Sequence, residues 1–276
     1  MRLQRVSRLC VQITFALTLV AGSAAAQSGA KAAPAAAKPA TAAPAPSLVS
    51  ISAGAMIAVH PEEYSGWPAL NIIDESPASG WAPPRGVVSP QTIVIALPEK
   101  TLLKTLSFDV AAADCEGCAA KDVLVEVSDT GAASGFQKIA QVALKDKTDN
   151  QSFPVQAEVP GRWVRLTVQA NHGSADYIEL MDFRATGRQL TRTPVANISG
   201  TYETDYGLFH IRQEGTSLSG CYEHDSGVLS GGIEGRVLKF IWREGEQGEQ
   251  KGPAIMVISP DGKELLGLWW NEGSKG

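Results

Sequence analysis

The chain has 276 residues, with 24 Lys and Arg against 29 Asp and Glu and a formal net charge of −5. That mildly acidic balance argues against nucleic acid or an anionic membrane as the partner. Only four cysteines are present, too few for a disulfide-dense scaffold.

Three arginines (Arg2, Arg5, Arg8) open the chain, an apolar run follows from Leu9 to Val20, and Ala24-Ala25-Ala26 precedes Gln27. This is the three-part pattern of a secretory signal peptide over 1–26. The expected address is therefore export, to the periplasm or the outside. The apolar run is too short to span a bilayer, and no later stretch reaches the roughly 20 apolar residues a transmembrane helix needs. Removing 1–26 takes three basic residues and no carboxylate, leaving a net charge of −8. Residues 27–47 are almost all Ala, Pro, Lys, Ser, Thr and Gly. Without large apolar side chains they cannot offset their ordering entropy, so a disordered linker is expected there.

From 48 to 187 short strand-like runs alternate with turn clusters, and no helical period is sustained. Ile93 to Leu97 lies between Pro90 and Pro98, and Leu106 to Val110 alternates apolar and polar positions. Val123 to Val127, Phe136 to Leu144, Trp163 to Val168 and Leu180 to Ala185 continue the series. Strands of this length predict an all-β domain, a β-sandwich. Cys115-Glu-Gly-Cys118 falls in the loop between two of them. In an exported chain the leading reading of Cys115 and Cys118 is a local disulfide stapling the 111–120 loop, with reactive thiols second.

The sandwich also carries a resemblance. An Asn71-x-x-Asp74-x-x-Pro77-x-x-x-Trp81 loop comes first, followed by Ile93-Val94-Ile95 and then Val125-Glu126-Val127-Ser128-Asp129. Gly135-Phe136 and Arg162-Trp163-Val164-Arg165-Leu166 follow, ahead of Asn171-His172-Gly173. This ordered series resembles the coagulation factor 5/8 type C (discoidin, galactose-binding-like) family, over about half of the chain. The resemblance implies a jelly-roll sandwich whose loops at one end bind sugars or other ligands. It also implies a structural calcium ion, held by carbonyls of Asn71, Ser76, Ser79 and Met181, the Ser79 hydroxyl, and the carboxylates of Asp74 and Asp182. Calcium takes six to eight oxygens and accepts backbone carbonyls readily. Glu75 and Ser76 stand where the family has Gly and Asp, and Ser79 where it has Thr. An Asx-type turn, in which Asp74 and Ser76 satisfy nearby backbone donors, is the competing reading of the same residues.

Sugar recognition needs a flat aromatic face and placed polar groups. The loop residues of that kind are His60, Tyr64, Trp67, Arg85, Asn171, His172 and Tyr177, with Trp81 beside them as a candidate plug for the sandwich. Residues 188–196 read as a polar linker. Beyond it, Gly200-Thr-Tyr202, Gly220-Cys-Tyr222 and Gly267-Leu-Trp269 each put an aromatic two positions after a glycine. Turn signals at Gln213-Glu-Gly215, Asp225-Ser-Gly227 and Pro260-Asp-Gly262 separate the strands. Residues 197–276 are thus expected to form a small antiparallel β-meander or partial barrel. Its last strand leaves an edge uncovered, so the chain reads as a truncated form of a longer protein.

No Gly-x-Ser-x-Gly elbow, His-Glu-x-x-His zinc motif or nucleotide fingerprint occurs. The sequence therefore reads as a non-catalytic exported binding protein for carbohydrate or another cell-surface ligand. The alternative is a structural or assembly component of a bacterial envelope complex, meeting a protein partner through the second domain.

Overall fold

The computed structural model describes residues 46–273 apart from 89, 195–196, 246 and 260–262. The signal-peptide expectation, nearly all of the Ala/Pro linker and the Pro260-Asp-Gly262 turn lie outside those residues. Seven strands build the first sheet system: β1 (Met56–Val59), β2 (Gln91–Asp109), β3 (Ala120–Ser128), β4 (Gln137–Ala143), β5 (Gln151–Pro154), β6 (Pro160–Asn171) and β7 (Asp182–Gln189). Their order is β1-β2-β6-β3-β4, with β5 and β7 also on β2, and every strand pair is antiparallel.

The long strand β2 organises this domain, and it differs from the expectation of two separate strands. Its first half, through Ala96, pairs with β1 and β6; its second half, from Thr105, lies between β5 and β7. Pro98 does not end the strand. It sits where pairing with β6 shifts between Ala96 and Thr101, so its missing N–H costs no ladder bond. Alternation then directs the core. Val123, Val125 and Val127 of β3 face Val164, Leu166 and Val168 of β6, and all six are at most 1% exposed. Phe108 and Phe183 pair across β2 and β7 with ring centroids 5.0 Å apart.

The second sheet is a meander in which each strand pairs with the next: β8 (Gly200–Thr204), β9 (Gly207–Glu214), β10 (Ser217–Tyr222), β11 (Val228–Glu234), β12 (Val237–Glu244), β13 (Gln250–Ile258) and β14 (Leu265–Trp269). It curls into a half-barrel with its own core of Tyr202, Phe209, Leu218, Leu238, Phe240 and Trp242. From the outer face, Ile255, Leu268 and Trp270 pack on the core of the sandwich. Buried Arg236 donates to the Ile258 carbonyl at 3.0 Å and to the Pro98 carbonyl. Buried Glu99 accepts from Thr191 Oγ1 at 2.5 Å and from Thr193 N–H at 2.8 Å. Burial alone would raise the Glu99 pKa, but these bonds and the Arg236 charge outweigh it and hold it below the ordinary carboxylate value. No helix among the described residues is long and apolar enough to cross a membrane.

Candidate functional site

Three loops meet at one place on the sandwich through backbone bonds. Tyr64 N–H donates to the Ala82 carbonyl at 2.8 Å, and Gly86 N–H donates to that of Asp176 at 2.6 Å. These bonds join the segments around 60–67, 81–87 and 171–177. On that frame Tyr64 and Tyr177 stand edge to face, with centroids 5.6 Å apart and planes at 74°. Arg85 Nη2 lies 3.0 Å from Asp176 Oδ2, with both side chains more than half exposed. The Arg85 charge reaches both tyrosines. Tyr64 is 42% exposed, so an aromatic surface and an ionic pair face solvent together. An exposed ion pair of this kind stabilises little, which leaves its groups available for exchange with a ligand.

The other loop candidates are placed differently. His60 Nδ1 lies 3.1 Å from Glu63 Oε1, and that same oxygen accepts from Ala69 N–H at 2.7 Å. Trp67 packs, partly buried, on the sandwich core. Asn171 is spent on its own loop: Nδ2 donates to the carbonyls of Ser174 and Tyr177, both at 2.7 Å, and Oδ1 accepts from Gly173 N–H. His172 Nε2 lies 3.1 Å from the Leu144 carbonyl. Trp81 is fully buried and exchanges backbone bonds with Leu180, which makes it the plug of this end of the sandwich. The structure thus gathers Tyr64, Arg85 and Tyr177 from the expected set. It adds Asp176, which sequence reasoning missed although it directly precedes Tyr177.

The loop from Asn71 to Ser79 starts in a short 3-10 turn, Ala69–Ile73. Its Asx turn is formed: Ser76 N–H donates to Asp74 Oδ1 at 2.7 Å. The Ser79 hydroxyl lies 2.7 Å from Asp74 Oδ2 and 3.1 Å from the Ser76 carbonyl. Asn71 contributes its amide, donating to the Gly80 carbonyl at 2.9 Å. Glu75 adopts a left-handed φ of 66° where the family has Gly, and Gly occupies that region without strain. Met181 is buried next to Asp182, and Asp182 begins β7 directly opposite Asp109. Arg184 Nε is 2.5 Å from Asp182 Oδ2, and Arg184 Nη2 reaches the Glu75 carbonyl at 3.4 Å.

One carboxylate here is not fully satisfied. Asp182 Oδ1 is buried with no hydrogen-bond partner. Burial pushes the Asp182 pKa up to about 6 against the opposing charge of Arg184, with Asp74 and Asp109 adding to the rise. Burial also raises Asp74, over the bonds from Ser79 and Ser76 that lower it. Two desolvated acids that feel each other, one with an orphan oxygen, fit the donor set of a hard divalent cation.

The disulfide expected between Cys115 and Cys118 is not formed; both thiols are free. The Cys118 sulfur is instead taken up by the turn itself, donating to the Cys115 carbonyl at 2.8 Å and accepting from Cys115 N–H at 2.9 Å. Cys115, Cys118 and Glu179 bring their donor atoms within 4.8 Å of one another. Burial, then hydrogen bonding with Cys115 and the nearby Glu179 carboxylate, pushes the Cys118 pKa up. A thiol held protonated in this way is a poor nucleophile, so the arrangement does not support the reactive-thiol reading.

Residues 55–183 match the F5/8 type C domain family. That match falls on the sandwich and agrees with the sequence resemblance. Among solved structures the sandwich is similar to CBM32-3 from a family 31 glycoside hydrolase of Clostridium perfringens (11% identity, TM-score 0.43, 50% of this chain and 93% of that one). It is also similar to the family 32 CBM of C. perfringens NanJ, solved in complex with galactose (10%, 0.41, 48% and 93%). A third is the family 32 carbohydrate-binding module of Streptococcus pneumoniae EndoD (14%, 0.42, 52% and 100%). No curated protein gives a significant match.

Proposed function

We propose that this chain is an exported, non-catalytic binding protein whose F5/8 type C domain recognises carbohydrate through the Tyr64–Tyr177 surface. The observation that carries this reading is the edge-to-face pair of exposed Tyr64 and partly buried Tyr177 beside exposed Arg85 and Asp176. Ring faces take the C–H side of a sugar, while a guanidinium and a carboxylate supply a donor and an acceptor for its hydroxyls. A glycan array or a cell-wall pull-down with the purified chain is expected to show retention. Tyr177→Ala with Arg85→Ala should lower that retention by at least about tenfold, on the order of 1.4 kcal/mol. His172→Ala, which alters a side chain engaged with Leu144, should leave retention unchanged. Retention that survives the double substitution would sink the assignment. No glycan or envelope binding at all would favour the assembly role instead.

A structural calcium ion belongs to the same reading. The Asp74 and Asp182 carboxylates, with carbonyls of Asn71, Ser76, Ser79 and Met181, would hold it, and it would neutralise buried Asp182 and partly buried Asp74. The orphan Asp182 Oδ1 supports this. A ligand that binds only the native state stabilises by mass action, about 2.7 kcal/mol at a hundredfold excess over Kd. Millimolar calcium is expected to raise the melting temperature by several degrees, and Asp74→Ala to abolish the rise. An unchanged melting temperature at that concentration removes the metal from the account.

A further inference from the structure

The half-barrel encloses a second site, unrelated to the loop end of the sandwich. Side chains alternate along a strand, so β12 sends Phe240, Trp242 and Glu244 to one face. There they meet Phe209, Tyr222, Tyr206 and Trp269 around a cavity of about 260 Å³. The rings stand as walls at right angles. Trp242 and Trp269 are at 89° with centroids 5.6 Å apart, and Tyr206 and Trp269 are at 88° and 5.9 Å. Phe209 and Tyr222 stack at 4.9 Å to form another side.

Bare backbone makes the walls possible. A Cβ on Gly227 would fall 2.1 Å from the Tyr222 ring, and one on Gly252 would fall 3.0 Å from the Trp242 ring and 1.7 Å from the Trp270 carbonyl. Trp242 is then fixed by donating its indole N–H to that carbonyl at 3.2 Å. At the opening, Trp269 and Tyr206 stay 46% and 38% exposed, a large apolar surface of the kind that marks a binding site.

Charge decides what such a site takes. Glu244 is the one carboxylate among the described lining residues, which include no Lys or Arg. Its Oε1 accepts from the Tyr222 hydroxyl at 2.8 Å, which fixes the carboxylate at the edge of the aromatic walls. Aromatic faces carry negative potential, and several of them around one carboxylate attract a cation with a greasy surface. The other polar lining residues are Gln250, Asn271 and His224, whose ring meets Tyr206 edge to face at 5.5 Å. The volume falls below the roughly 300–1,000 Å³ of sites for drug-sized ligands, so the ligand is a small headgroup.

We propose that this cavity binds a small organic cation, an alkylated ammonium group, with Trp242, Trp269 and Tyr206 as its cage and Glu244 as its counter-charge. The test titrates the purified chain with choline and with its uncharged isostere 3,3-dimethyl-1-butanol, followed by tryptophan fluorescence and calorimetry. Choline is expected to bind saturably, at least about tenfold more tightly than the isostere. Glu244→Gln should remove most of that difference, and Trp269→Ala, at an exposed position, should weaken choline without unfolding the sheet. Equal affinity for choline and the isostere would reduce the cavity to an apolar pocket and overturn the proposal. So would an absence of saturable choline binding, or displacement of choline by galactose. The comparison on the unmodified chain decides the matter even if Glu244→Gln does not fold.

Discussion

Trp81→Ala is expected to lower the unfolding free energy by about 3–5 kcal/mol, the usual cost of truncating a buried large aromatic in a core that cannot collapse onto the gap. Trp81 is among the largest fully buried side chains in the protein. Its backbone is tied to Leu180 in both directions, at 2.9 and 3.1 Å. It follows the Asn71–Ser79 loop directly, so losing the indole removes the floor on which that loop rests. Trp81→Phe should cost much less. It keeps most of the apolar volume and discards an indole N–H that is buried without a partner, a group that costs free energy where it is. Urea unfolding followed by far-UV circular dichroism measures both. A loss under about 1 kcal/mol for the alanine variant would mean that the sandwich does not depend on this plug.

The second large effect is on pH. Asp182 has a folded-state pKa of about 6 against an ordinary 3.8, so the folded protein holds this proton more tightly than the unfolded chain. That contribution is fully present below about pH 4 and is lost as pH rises through 6. Two pKa units correspond to something on the order of 3 kcal/mol as an upper bound. In calcium-free buffer, the stability difference between the native chain and Asp182→Asn should therefore change across pH 4–7, with the native chain losing ground as pH rises. Asp74, also raised, acts in the same sense, and Glu99, lowered, acts in the opposite one. Comparison with the Asn variant isolates Asp182 from both. Under the calcium proposal, adding the ion at pH 7 restores what deprotonation removes. A pH profile identical in the two proteins would show that Asp182 titrates normally.

Much of the architecture was legible because strand chemistry is local. Val123, Val125 and Val127 are buried while the alternate positions Asp122, Leu124 and Glu126 are partly exposed, as the strand period requires. The turns at Gly215 and Gly227 likewise lie between strands, as their residues indicate. Pro98 misled because proline reads as a terminator, yet it lies at a point where the ladder is already interrupted. The site was legible in part. Tyr64, Arg85 and Tyr177 were picked by residue type and loop position, but their meeting depends on the Tyr64–Ala82 and Gly86–Asp176 backbone bonds, which no local pattern announces. Asn171 and His172 have equally suitable side chains, and only the fold shows them occupied elsewhere. The cage was invisible for a stronger reason: its walls come from four strands and the turn at Tyr206. The Gly-x-Tyr and Gly-x-Trp repeats indicated bends without saying which faces would meet. At the cysteines, spacing alone could not separate a bonded pair from a sulfur absorbed into a turn.

The buried joint at Arg236 and Glu99 bears on how the two proposed binding surfaces would work together. Thr191 and Thr193 are pinned to Glu99, and Arg236 of the half-barrel is pinned to Pro98 of the sandwich, so the two sheets are joined directly as well as through the chain. A target presenting both ligand chemistries would be engaged as by a fixed-span chelator. Its avidity would then depend on whether the target's spacing matches that span, with no linker slack to absorb a mismatch.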